Sequence, residues 1–263
     1  MKHRKVRNFI LWIAIIVYLV VVLGFVAKKR KNTICKQVNI TILDSTENFL
    51  LEKKNIVEYI NEEYKILEGI AVDSIDMAKL EKTILDYPLV KKAKMYKTIS
   101  GEVNVELTQR KPIMRIINES GKSFYIDDEG VILPFSKSYT AHVLVVNGAI
   151  SNIFDLRKKV EIDSVAKKYE NKIIADLFIL GKYIYDNEFL KSQINQIYVL
   201  KNNEFELVPR VGQHIIIFGR IENYRDKLQQ LEVFYKEVLP RGGWNKYKTI
   251  DLTFKNQIVC KKK

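Results

Sequence analysis

YPLVKKAKMYKTISGEVNVELTQRKPIMRI, residues 87–116, holds a helix stop, a hairpin and a domain exit in one run. Pro88 cannot continue a preceding helix, because its ring clashes with the previous turn and it has no N–H to donate. Ala93 and Met95 alternate with Lys92 and Lys94 in the manner of a half-buried strand. Past a link at Gly101, Val103, Val105 and Leu107 alternate strictly with Glu102, Asn104, Glu106 and Thr108, the period of a strand with one wet face. In Gln109-Arg110-Lys111-Pro112 the proline biases Lys111 toward extended backbone, so a stiff connector leaves the hairpin.

Upstream of this run, Val38, Ile40 and Ile42 alternate with Asn39, Thr41 and Leu43, which predicts a strand. Leu51–Asn61 places Ile56, Val57 and Ile60 at helical spacing. Asp76 fits an N-cap, with Ile75 and Leu80 at the staple positions. Met77, Leu80 and Ile84 then share one face of a helix that Pro88 ends. The predicted order over residues 36–111 is β-α-α-β-β.

Downstream, residues 112–263 mix strands with two or three helices and carry no glycine-rich phosphate loop, which predicts an α+β domain rather than a Rossmann type. Ile113–Ile117 reads as a strand. Ser123–Ile126 and Val131–Leu133 read as a hairpin around Asp127-Asp128-Glu129-Gly130. The three acids there could bind a cation or form an acid/base pair, but no spaced ligand set accompanies them and the turn reading is preferred. Ala141–Val146 reads as a strand closed by an Asn147-Gly148 turn. Residues 151–170 are charged and weakly patterned, and Asn171–Tyr185 puts Ile173, Leu177, Leu180 and Ile184 on one helical stripe. Ile194–Leu200 and Glu204–Val208 flank Asn202-Asn203 as a second hairpin, and Val211–Gly219 reads as a strand. Tyr224–Val238 is an amphipathic helix with Leu228, Leu231, Tyr235 and Val238 in register, stopped by Leu239-Pro240. Ile250, Leu252 and Phe254 then alternate with Asp251, Thr253 and Lys255 in a last strand that Gln257–Cys260 continues.

The net charge of +13 invites a nucleic-acid reading, and its distribution opposes one. Lys2, Arg4, Lys5, Arg7, Lys28, Lys29, Arg30 and Lys31 crowd the first 31 residues, and Lys261, Lys262 and Lys263 crowd the tail. Residues 32–260 are nearly neutral, whereas phosphate neutralisation needs a basic face on the body itself. Between the two N-terminal clusters, Phe9–Ala27 carries no charge and as a helix would span about 28 Å, close to the hydrocarbon thickness. Ala27 paired with Phe25 makes a poor cleavage site, so an uncleaved single transmembrane helix is favoured over a signal peptide. It leaves residues 1–8 as a short tail and 28–35 as a juxtamembrane linker. Basic residues flank the span equally, so charge alone does not orient it.

Cys35 and Cys260 do not make a disulfide framework or a metal signature. His3, His142 and His214 have no Ser or Cys nucleophile in a recognisable elbow near them. No catalytic, cofactor-binding or metal-ligating residue is therefore assigned, and the chain reads as a non-enzymatic binding module beside a membrane.

Two motifs carry a resemblance. The helix followed by Pro-x-Val-x-x-Ala, a turn, an alternating strand and Gln-Arg-x-Pro is similar to the end of a POTRA domain. Phe-Tyr-Ile-Asp-x-x-Gly-Val-x-x-Pro at residues 124–134 resembles a hairpin of the FtsQ/DivIB family of bacterial division proteins. The order of anchor, POTRA-like domain and β domain resembles that family over the whole soluble chain. The resemblance implies a larger mixed domain whose antiparallel sheet ends in an edge strand. It also implies an N-terminus in the cytoplasm, the C-terminal domains outside it, and a scaffold role at the division septum. The implied partners are FtsB-like and FtsL-like single-span proteins, bound by strand addition with no cofactor, nucleic acid or small-molecule substrate. An edge strand suits this, since its unpaired N–H and C=O groups can pair with another extended chain. On this chain the implied partner surface is Trp244, Tyr247, Ile250, Asp251, Leu252, Thr253, Phe254 and Lys255. Ile250, Leu252 and Phe254 would point inward. A recruitment surface on the POTRA-like domain would use Glu81, Lys91, Lys92 and Lys94, charges that otherwise read as a solvated face. The alternative function is a POTRA-bearing, chaperone-like module handling outer-membrane polypeptides. That class carries repeated units or a barrel, and this chain shows one unit and no barrel pattern.

Overall fold

The strict alternation of Val103, Val105 and Leu107 becomes a central strand, because both of its neighbours in the sheet are supplied by the same domain. The computed structural model describes residues 11–24, 33–44, 50–136, 139–151, 154–169 and 172–263. Residues 11–24 form a helix, α1, whose side chains are exposed throughout. The remaining ends of the apolar run 9–27 lie outside the described residues, as do the basic clusters on either side. Among the described residues no helix is long and apolar enough to cross a membrane.

Contacts divide the chain into two units. The first contains β1 (Gln37–Ile42), α2 (Lys53–Glu63), α3 (Met77–Leu85), β2 (Val90–Lys97) and β3 (Glu102–Gln109, with Gln109 itself in the second unit). This is the expected β-α-α-β-β order. Its three-stranded sheet runs β1-β3-β2, with β1 parallel to β3 in the register Val38↔Val103 and Ile40↔Val105. A parallel pair requires a long crossover, and α2 and α3 lie within it. Asp76 caps α3 by accepting from the Lys79 N–H at 3.0 Å, and Ile75 and Leu80 are buried on either side of the cap. On α2 the buried side chains are Ile56, Tyr59 and Ile60. Val57, expected on that face, is 40% exposed; the helix rotates Tyr59 inward instead.

The second unit runs from Gln109 and includes Leu50 and residues 86–89. Its ten-stranded sheet has the order β13-β12-β11-β10-β9-β7-β4-β5-β6-β8. The strands are β4 (Pro112–Ile117), β5 (Ser123–Asp127), β6 (Val131–Pro134), β7 (Leu144–Gly148), β8 (Val160–Glu161), β9 (Ile194–Val199), β10 (Phe205–Pro209), β11 (Ile215–Gly219), β12 (Tyr247–Asp251) and β13 (Val259–Lys262). The sheet is mixed, not antiparallel as expected. β4, β7 and β9 run parallel, as do β11 and β12. The physical reason lies in the connections. Helices α4 (Ile162–Tyr169), α5 (Ile173–Asp186) and α6 (Glu188–Gln193) separate β7 from β9, and another helical segment separates β11 from β12. Such crossovers return the chain in the same direction, while the short loops of β5–β6 and β9–β10 reverse it. The weakly patterned 151–170 region thus supplies β8 and α4.

Several local expectations change in the same way. The strand expected at 141–146 is β7, and Asn147-Gly148 is not its closing turn. These residues pair with Tyr198 and Val199 of β9, and a Cβ on Gly148, at φ 111°, would strike the Val199 backbone. The glycine therefore permits close approach of two strands. β11 starts at Ile215, after Gly212 at φ 93°, rather than at Val211. The amphipathic helix does not stop at Leu239-Pro240. It continues as α7 (Tyr224–Val233), a π-helical turn over Phe234–Val238 and α8 (Leu239–Gly242), with Pro240 just after the π turn. The wider π turn rotates the buried stripe, so Leu239 is fully buried and Val238 is 39% exposed.

One continuous apolar core links the sheet to these helices. α5 contributes Ile173, Ile174, Leu177, Leu180 and Ile184, and α7 contributes Leu228 and Leu231. Gly181 brings α5 onto β4, since a Cβ there would strike the Met114 methyl.

Candidate functional site

The expected partner surface folds as a hairpin, not as one long strand. β12 ends at Asp251, whose carboxylate accepts from the Thr253 N–H at 2.9 Å and the Thr253 hydroxyl at 2.7 Å. This side-chain turn competes with further strand pairing. Asn256 at φ 59° completes the reversal, because asparagine tolerates left-handed backbone better than most residues. The chain then returns as β13, antiparallel to β12 in the register Asp251↔Val259, Ile250↔Cys260 and Thr249↔Lys261.

The edge of the sheet is consequently β13 (Val259–Lys262), and β12 lies one place in, hydrogen-bonded to β11 and β13. The expectation that Ile250, Leu252 and Phe254 turn inward on an edge strand is corrected. Ile250 and Leu252 are buried, the Leu252 N–H donating to the Ile217 carbonyl at 2.9 Å. Phe254 sits in the turn, 46% exposed, with Thr253 and Lys255 exposed beside it. The residues that carried the alternation cannot all be in one strand once the Asp251 turn forms.

Trp244 and Tyr247 enter the hairpin half-buried. Trp244 meets Tyr235 edge-on, with centroids 5.6 Å apart, and Tyr247 lies 5.9 Å from the Phe234 ring. Tyr235 in turn hydrogen-bonds His214 at 2.7 Å, and both are buried. Burial lowers the His214 pKa and raises that of the Tyr235 phenol. This His–Tyr–Trp stack fixes the root of the hairpin on the π turn and β11 without offering a reactive group to solvent.

On the first unit, Glu81 is exposed on α3, and Lys92 and Lys94 share the exposed face of β2, itself an edge strand. Lys91 points to the opposite, half-buried side with Ala93 and Met95. β2 therefore divides the three expected recruitment lysines between two faces.

Sequence reading missed what the two motifs do together. Arg110 of Gln-Arg-x-Pro donates to Asp127 at 2.6 Å and Glu129 at 2.8 Å, both in the Ile-Asp-x-x-Gly hairpin. Asp127 is fully buried and also accepts from the N–H groups of Glu129 and Val131, so it closes the β5–β6 turn and holds the arginine at once. Burial would lower the Arg110 pKa, but its two carboxylate partners hold it above the ordinary value. Cys35 and Cys260 are both free, and among the described residues no group of His, Cys, Asp and Glu gathers as a metal site.

A small three-stranded β-α-α-β-β unit is followed by a large mixed sheet ending in an edge hairpin, the architecture of a two-unit α+β protein. Residues 33–108 match the POTRA-like domain family, and residues 111–261, more than half of the chain, match the family described as FtsQ/DivIB, C-terminal related. The chain belongs to the FtsQ/DivIB family, which places it with cell-division proteins at the level of the family. No curated protein matches it.

Proposed function

We propose that this protein is a non-enzymatic scaffold of septal cell-wall synthesis that holds single-span FtsB-like and FtsL-like division proteins by strand addition at its C-terminal hairpin. The observation that carries this reading is the position of β13, the last strand of a ten-stranded sheet, with Val259, Lys261 and Lys262 exposed. Its outer edge offers main-chain donors and acceptors to an extended partner, and the exposed Phe254 and Val259 beside it offer apolar anchors. Trp244, Tyr247, Ile250, Asp251, Leu252, Thr253 and Lys255 support the hairpin from within or rim it. Glu81, Lys92 and Lys94 form a second, charged surface on the POTRA-like unit for recruitment, with Lys91 on its far side. The apolar run 9–27 anchors the chain as a single membrane span, its N-terminus cytoplasmic and both folded units outside.

The test is a crosslinked pull-down from cells, comparing the intact chain with one ending at Ile258, which lacks β13. Capture of small single-span division proteins by the intact chain, and its loss in the shortened but folded form, places the partner on β13. Stronger capture by the shortened form means that the partner replaces β13 and pairs with β12. If neither folded form captures division proteins, the scaffold reading falls.

A further inference from the structure

The second unit contains a cleft of about 690 Å³ at the starts of the parallel strands β4, β7 and β9. That volume lies within the range of small-molecule sites. Lys111, Arg115, Lys191 and Arg210 line it together with His142, and among the described residues no carboxylate does. Its floor is apolar, formed by Pro112, Val143, Leu144 and Ile184. In a body whose charge is otherwise nearly balanced, Arg115, Lys191 and Arg210 around one cavity that no carboxylate lines set up a local positive potential.

Two of the cationic groups are held against aromatic rings. The Arg115 guanidinium lies 4.5 Å from the Phe135 ring centroid and donates to the Ser123 hydroxyl at 3.2 Å. Its Nε is buried with no hydrogen-bond partner among the described residues. Lys191 stands 4.0 Å over the Tyr185 ring, on a helix whose first turn is capped by Asn187. The Arg210 main-chain N–H donates to the Gln193 carbonyl at 2.7 Å, which sets the backbone of that residue beside the start of β9 and leaves its side chain exposed. Aromatic contact limits the freedom of the Arg115 and Lys191 side chains that a bound anion would otherwise have to remove.

We infer that this cleft binds a phosphate group carried on an apolar body. Arg115, Lys191 and Arg210 together call for more than the single charge of a carboxylate, and a phosphate monoester brings up to two charges and three acceptor oxygens. Arginine's fork matches phosphate oxygens in pairs, and the apolar floor takes the attached chain or ring. The site is separate from the C-terminal hairpin and does not depend on the strand-addition reading.

The experiment titrates the full chain, in neutral detergent, with hexyl phosphate and with hexanol, and repeats it on a Lys191→Gln/Arg210→Gln variant. Both lysine and arginine there are exposed, so the fold should survive; an unchanged thermal midpoint checks this, and either single substitution serves if the pair lowers it. Saturable binding of hexyl phosphate, absent for hexanol and roughly tenfold or more weaker in the variant, is the expected result. Lys201→Gln, on an exposed turn outside the cleft, should bind as the parent does. Competition by detergent micelles carrying phosphatidic acid but not by micelles carrying phosphatidylcholine then assigns the phosphate to a lipid, and no competition assigns it to a soluble ester. Equal binding of hexanol, or undiminished binding by the folded variant, overturns the proposal.

Discussion

Arg110 is 4% exposed although it is charged and stands at a domain exit. Its guanidinium balances a carboxylate with no exposure at all, so removing it strands the Asp127 charge in the interior. Arg110→Ala should therefore cost about 3–5 kcal/mol in urea unfolding of the full chain. Glu129→Gln should cost less than about 1 kcal/mol, because that partner is half exposed. A small loss for Arg110→Ala would mean that the buried pair does not hold the hairpin. The sequence displays both residues in recognisable motifs, yet their meeting depends on the β4–β5 register, in which Pro112 faces Asp127. Seventeen positions separate the two side chains, and nothing in local periodicity reports that they touch.

At the scale of elements, close approach is written into the glycines. Gly148→Ala combines a left-handed φ with a collision against the Val199 backbone, and should destabilise the protein by about 3 kcal/mol. Gly121→Ala, at φ 77° but in open space, should cost only about 1 kcal/mol. Comparable losses in chemical denaturation would show that the β7–β9 contact adds nothing beyond backbone strain. Asn147-Gly148 reads equally well as a turn because the same positive φ serves both roles. Only the pairing of β7 with β9 separates them. The π turn at Phe234–Val238 was likewise invisible, since Leu228, Leu231 and Tyr235 keep ordinary helical spacing up to the point where the backbone widens.

For the whole molecule, the first prediction concerns the membrane. A chain lacking residues 1–32 should appear in the soluble fraction, while the full chain should resist alkaline carbonate extraction as a spanning protein does. Extraction of the full chain by carbonate would remove the single-span reading. The order of the folded parts was legible in the sequence. Alternation in β1 and β3, the Asp76 cap and Pro88 gave the β-α-α-β-β unit, and the charge distribution kept the body from being read as a nucleic-acid binder. These features are local: a period of two or of 3.6 reports which side of an element is wet, whatever it later packs against. Tertiary structure alone decided that the large sheet is mixed, that β13 and not β12 is its edge, that Arg110 clamps Asp127, and that Arg115, Lys191 and Arg210 from distant segments line one cleft. Strand direction, edge identity and clustered charge are properties of pairings between segments far apart in the chain, and a side-chain turn at Asp251 was enough to change which strand remained outermost.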